Sequence, residues 1–142
     1  MMKELKIPAI ETNLPRVLSF IEEQLDARGC PAGIKAKINI AAEEIFVNIA
    51  HYAYGQKIGP VVIRLDWEED SHKVVLTFID QGIPFNPLES ADPDISMPLK
   101  QRKKGGLGIW MVKKTMEGLR YKHVDGSNVL SFEKSLLPKR EG

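Results

Sequence analysis

The sequence predicts an α+β architecture in two layers: a mixed, mostly antiparallel sheet with three helices covering one face. Two observations carry this. After a short N-terminal strand, the periodicities run as two helices, two strands, one helix and two strands, and do not alternate as a parallel α/β fold requires. The strands also come in pairs joined by short polar turns, the pattern of antiparallel hairpins.

Each element has a local reason. Residues 3–10 alternate weakly between polar and apolar and form an edge strand, the position where Pro8 can be tolerated. Asn13 is a helix N-cap with Pro15 just inside, and Val17, Leu18, Ile21 and Leu25 recur at helical spacing until Gly29 stops the run. Pro31 opens a second helix, which runs to about Tyr54 and is closed by Gly55. Residues Val61–Trp67 and Lys73–Ile79 are β-rich and flank the turn Glu68-Glu69-Asp70-Ser71. A third helix spans Leu107 to Gly118, and strands Tyr121–Val124 and Val129–Lys134 follow around Asp125-Gly126-Ser127-Asn128. Between Asp80 and Gly106 the chain turns to Gly, Pro, Asp, Ser and Lys. Such a connection far exceeds the usual ~4–6 residues and is either functional or disordered; the expected lid is about 86–106, and the tail 138–142 is expected to fray.

Composition narrows the function classes. A 142-residue chain that is 43% apolar suits one globular domain, 1–142. Its 20 basic and 19 acidic residues leave a net charge of +1, so no concentration of basic charge marks nucleic acid as the main partner. No apolar run is long enough for a membrane span, and the N-terminus lacks the order of a signal peptide. Cys30, the single cysteine, has no internal disulfide partner, and no Cys/His spacing suits structural zinc, so a cytosolic setting is expected. Trp67, Trp110, Phe78 and Phe132 read as packing residues, His72 and His123 as surface or packing residues, and Cys30 as an inert apolar side chain.

The second helix carries a polar seam. At about 100° per residue, Glu44, Asn48 and His51 fall within roughly 60° of one another on an otherwise apolar helix. Burial without partners is costly for a carboxylate and a carboxamide, so the seam faces either bulk water or a cavity whose occupant supplies partners. Oxygen donors four residues apart suit Mg²⁺, an ion that keeps waters and phosphates for the rest of its shell. Alternatively the Glu accepts a proton from an attacking hydroxyl, or the pair is only an exposed i,i+4 contact.

Two glycine segments flank the long connection. In Asp80-Gln81-Gly82-Ile83-Pro84-Phe85 a strand ends in a tight turn. There an ionised Asp80 could accept from the exocyclic amine of adenine and repel the carbonyl that guanine presents, while Gly82 allows close backbone approach; the bland reading is a turn Asp capping its own loop. Gly105-Gly106-Leu107-Gly108 opens the third helix, leaving N–H groups for an anion, and Lys100, Arg102, Lys103 and Lys104 precede it. By itself this segment also reads as a flexible helix start behind a solvated charge run; it is not a P-loop.

The order of these pieces resembles the Bergerat-fold ATP-binding superfamily over residues 5–135: an E-x-x-x-N helix, strand-D-x-G-x-P-F, a long loop ending G-G-L-G at a helix start, and a G-S-N turn. Within that superfamily, which includes histidine kinase catalytic domains and gyrase, chaperone and mismatch-repair ATPases, the chain is similar to the small anti-sigma-factor serine kinases, the RsbW-like branch. The resemblance implies Glu44 as general base and Asn48 as Mg²⁺ ligand. It further implies Asp80 and Gly82 at adenine, Lys104, Gly105, Gly106, Leu107 and Gly108 at the phosphates, and Ser127 or Asn128 near adenine, where the family often has a Thr. Tyr52 stands where many relatives have a His and His51 is one residue early, so the resemblance assigns His51 no role, and none to Glu43 beside Glu44.

The implied function is ATP-dependent serine/threonine kinase activity on a STAS-type anti-anti-sigma protein, combined with sequestration of a sigma factor in the cytoplasm; relatives commonly form homodimers. The alternative is a nucleotide-binding switch with little turnover. A gyrase-like or chaperone-like ATPase needs further domains, and a sensor histidine kinase needs a helical dimerisation hairpin, which the residues before Asn13 do not supply.

Overall fold

The structure, a computed structural model, describes residues 1–67, 70–89 and 106–137, leaving aside the side chains of residues 106 and 107. Five strands, β1 (Met2–Pro8), β2 (Pro60–Trp67), β3 (Lys73–Asp80), β4 (Glu117–Val124) and β5 (Ser127–Ser135), form one sheet in the order β1-β2-β3-β5-β4. Every neighbouring pair is antiparallel, so the sheet is not mixed. The reason is topological: after β3 the chain crosses to the outer position of β4, and the hairpin then folds β5 back into the gap beside β3.

The helices are α1 (Leu14–Asp26), α2 (Ala32–Asn48) and α3 (Gly106–Thr115). Alternate residues of β2 and β3 are buried, and they share a core with the apolar stripes of the helices. At its centre Ile21, Leu25, Ile38, Ile45 and Phe46 meet Ile63, Leu65, Leu76, Phe78 and Phe132, with Phe78 and Phe132 stacked at 6.3 Å. Trp67 closes one end of the core under the Arg28 guanidinium, 3.5 Å from the ring centroid. Among the described residues no helix is long and apolar enough to cross a membrane.

Four local outcomes differ from the sequence reading. Asn13 precedes α1 as expected, but its Nδ2 donates to the Pro8 carbonyl at 2.9 Å and does not cap the helix. The second helix is not uniform: α2 ends at Asn48 and widens into a π turn over Ile49–Ala53, which breaks the 100° spacing. The third helix stops at Thr115, and Gly118 is no helix terminator; it lies at φ 58° where the β4–β5 register shifts, a bulge that favours glycine. The last turn is two residues, Asp125 (φ 52°) and Gly126 (φ 78°), so Ser127 and Asn128 belong to β5.

Candidate functional site

Glu44 and Asn48 lie one turn apart at the C-terminal end of α2, both half-buried. The Glu44 carboxylate sits against the first turn of α3, where a Cβ on Gly108 would overlap its oxygen and its carboxyl carbon. Glycine at this position therefore leaves the Glu44 carboxylate room to rest on α3. Burial pushes the Glu44 carboxyl above the usual carboxylate range, and the neighbouring Glu43 carboxylate adds to the shift. A carboxyl raised in this way is the better proton acceptor for a hydroxyl approaching the start of α3. Neither the Glu44 nor the Asn48 side chain has a hydrogen-bond partner among the described residues, and neither is sealed from solvent.

At the far end of β3, Asp80 is buried, 6% exposed, and faces Asn128 across the β3–β5 ladder. Asp80 Oδ1 accepts from the Gly82 N–H at 2.9 Å and from Asn128 Nδ2 at 2.9 Å. The strand alternation that buries Val74, Leu76 and Phe78 carries through to Asp80, which is why a charged residue ends up on the core side of the sheet. No described residue donates to Oδ2, so that oxygen is an acceptor aimed outside the network.

The π turn joins the two ends. The Ala53 carbonyl accepts from the Ile83 N–H at 2.9 Å, and a Cβ on Gly82 would overlap the Ala53 carbonyl, so the close approach that Gly82 permits is to this turn. The Tyr54 hydroxyl donates to the Pro60 carbonyl at 2.5 Å and accepts from the Gln81 N–H at 2.8 Å. Its ring occupies the space where a Cβ on Gly59 would lie, and burial pushes its hydroxyl pKa up. The helix carrying Glu44 and Asn48 is thus bolted directly to the loop after Asp80.

The structure brings Glu44 and Gly108 together, and places Asp80, Gly82 and Asn128 together. Gly106 and Leu107 open α3 directly before Gly108. Ser127 is half-buried and faces away from Asp80, because strand alternation turns Asn128, Leu130 and Phe132 inward instead. His51 leaves the predicted seam: the π turn shifts it, and its Nε2 lies 2.9 Å from a Glu11 carboxylate oxygen in the 3₁₀ turn that precedes α1. Lys104, Gly105 and most of the expected lid fall outside the described residues. Sequence reading assigned no role to Tyr54, Tyr121 or Ala53. The signal that could have separated Asn128 from Ser127 was its even spacing from Leu130 and Phe132.

Among the described residues no cluster of three or more His, Cys, Asp and Glu side chains could hold a metal. The unpartnered pair of Asn48 and Glu44 fits Mg²⁺ in a different way, since this ion takes one or two protein oxygens and completes its shell with phosphates and water.

Comparison with known proteins identifies the family of the domain. The family profile described as histidine kinase-like ATPase domain matches residues 7–134. A serine-protein kinase RsbW of Bacillus cereus (strain AH187) is 28% identical over 95 residues, covering 66% of this chain and 59% of its own length. This chain therefore spans less than two thirds of that relative. The RsbW of Bacillus mycoides (strain KBAB4) is 26% identical over 131 residues, covering 89% of this chain and 81% of its own. Among solved structures, the RsbU and RsbW domains of Rv1364c from Mycobacterium tuberculosis superpose with a TM-score of 0.65 at 18% identity, over 94% of this chain and 32% of that one. The chain belongs to the histidine kinase-like ATPase domain family, and it is similar within it to serine-protein kinases named RsbW.

Proposed function

We propose that this protein is an ATP-dependent protein serine/threonine kinase that acts on a STAS-type anti-anti-sigma protein and, when not so engaged, sequesters a sigma factor in the cytoplasm. The observation that supports this most is the Glu44 carboxylate, raised by burial and seated against Gly108 at the start of α3, one turn before Asn48. In this reading Asp80 Oδ2 accepts from the adenine amine, and Gly82 holds the loop that carries it. Asn48 is the protein ligand of Mg²⁺, which when bound neutralises charge on the polyphosphate. Lys104, Gly105, Gly106, Leu107 and Gly108 form the phosphate-facing segment. Ser127 stays on the rim, and Asn128 takes the position beside Asp80.

Transfer then proceeds by positioning. The serine Oγ of the partner protein approaches the γ-phosphorus; the new O–P bond forms as the bond to the ADP oxygen breaks, and the serine proton passes to Glu44. ADP leaves with the electron pair of the broken bond. The RsbW relatives are named as serine-protein kinases, and the serine acceptor is taken from them.

The test is transfer from Mg-ATP to a co-encoded STAS protein, read as phosphoserine by mass spectrometry. Glu44→Ala should lower the rate by about 10²–10⁴-fold while leaving ATP affinity nearly unchanged. Unchanged transfer in this variant would refute Glu44 as base. ATP binding with no phosphoserine on any co-encoded STAS protein would favour the nucleotide-dependent switch.

A further inference from the structure

Asn128 is 5% exposed and surrounded by groups of two unequal kinds. On its nitrogen side lie three acceptors: Asp80 Oδ1 at 2.9 Å, the Ile83 carbonyl at 2.9 Å and the Gly82 carbonyl at 3.3 Å. On its oxygen side lie the Phe85 N–H at 3.4 Å and the Tyr121 hydroxyl, which donates to Oδ1. This settles the orientation of the amide. Turned over, its oxygen would face three oxygens and its NH₂ would face the Phe85 N–H, which can only donate. An amide with three acceptors for two hydrogens has none to spare for a ligand.

The consequence falls on Asp80. With Asn128 and the Gly82 N–H both donating to Oδ1, that oxygen is fully engaged and the carboxylate is held in one rotation. Oδ2 is the oxygen left over. It carries no hydrogen when the group is ionised, so it can receive an N–H but can give nothing to a carbonyl.

We infer that Asn128 sets which purine the site accepts, by locking Asp80 as an acceptor-only reader of the 6-position of the base. A 6-amino group, as in adenine, satisfies Oδ2; a 6-carbonyl, as in hypoxanthine, places oxygen against oxygen. Asn128 is a positioning residue, since it touches Asp80 and the loop carbonyls and not the ligand. The inference rests on the nucleotide reading given under Proposed function.

Replacing Asn128 with Asp keeps the shape and inverts the chemistry. Two carboxyl groups at hydrogen-bonding distance cannot both ionise near neutral pH, so the pair retains a shared proton and Asp80 is no longer held as a pure acceptor. The Ile83 carbonyl also loses its donor. Asn128→Ser removes the donor to Asp80 by shortening the side chain, without adding a charge.

The experiment measures dissociation constants of Mg-ATP and Mg-ITP on the whole chain, by competition against a fluorescent ATP analogue. ITP carries a carbonyl at the 6-position and a hydrogen on N1, where ATP carries an amino group and a bare ring nitrogen. The wild type is expected to prefer ATP. In Asn128→Asp that preference should fall by about tenfold or more, the scale of one hydrogen bond to a charged group. Asn128→Ser should lower it in the same direction, and it decides the matter if thermal melting shows that the Asp variant does not fold. An unchanged ATP-to-ITP ratio in a folded variant overturns the inference. A wild type that binds ATP and ITP equally also overturns it, while leaving the nucleotide site standing. A wild type that binds neither overturns the reading under Proposed function.

Discussion

At the Asp80 end of the site, the Asn128 amide, the Gly82 N–H, the Tyr54 hydroxyl and the Ala53 carbonyl all have protein partners. At the α2–α3 end, the Glu44 and Asn48 side chains have none among the described residues. One half is completed by the protein except at Asp80 Oδ2, and the other leaves its polar side chains for a ligand to complete. The difference follows the chemistry each half would meet. A base is read by a few fixed hydrogen bonds, and fixing them in advance limits the ordering needed on binding. A polyphosphate with its metal brings its own charge and water, so the protein needs to supply only a few open oxygens and N–H groups.

The comparison can be broken most severely at Gly82. Its missing Cβ is filled by the Ala53 backbone, which has little freedom to retreat. Gly82→Ala should lower unfolding stability by about 1–3 kcal/mol, as overpacking does. The check is urea denaturation, and a midpoint equal to wild type would show that the two segments are not rigidly joined.

Gly108 offers the matching experiment at the other half. There a Cβ would meet the end of a flexible side chain, so Glu44 can swing aside. Gly108→Ala should therefore reduce phosphoryl transfer by roughly tenfold or more, the scale on which a small misplacement disturbs catalysis. Stability should hold or rise, because Ala is about 1 kcal/mol the better helix former. A large loss of stability would show the α2–α3 contact to be as rigid as the Asp80 loop.

Tyr54→Phe sharpens the comparison more gently. The ring beside Gly59 remains and the bridge from Pro60 to Gln81 is lost, which should cost about 1 kcal/mol. The loss should appear in ATP affinity more than in the turnover of bound ATP. An effect on turnover alone would place Tyr54 in the chemistry and not in the frame.

The smallest expected effect is in pH dependence. A carboxyl whose folded pKa lies above its unfolded value contributes stability that is fully present below the unfolded pKa and is lost as pH rises through the folded value. Glu44 is in this class. Glu44→Gln removes the effect, so the variant should gain stability relative to wild type as pH climbs above the ordinary carboxylate range. Thermal melts across that range read the gap directly, and a gap moving the opposite way would contradict the burial of Glu44. In the wild type, transfer should quicken over the same rise, as Glu44 becomes able to take a proton.

Much of this was legible in the residues. The alternation of Val74, Leu76 and Phe78 carried Asp80 to the inner face of the sheet, and the spacing of Glu44 and Asn48 put both on one side of a helix. His51 was misplaced because a helical wheel assumes a constant turn, and the π turn begins directly after Asn48. The third helix was extended to Gly118 because a bulge glycine cannot be told from a helix-end glycine without the partner strand. Ser127 and Asn128 were left undivided because the length of the Asp125-Gly126 turn decides which of them faces inward, and a one-residue change in a turn exchanges the two faces of a strand.

The chain by itself therefore determined the elements, the hairpins and the types of group available, since these follow from periodicity, turn residues and charge within a few neighbouring positions. Only the tertiary structure decided that Asn128 meets Asp80, that Gly82 lies on Ala53 and that Glu44 rests on Gly108. These pairs are separated by 48, 29 and 64 positions (128 − 80, 82 − 53 and 108 − 44). Local preferences cannot specify contacts at that range, because it is the packing of helices against the sheet that brings such residues together.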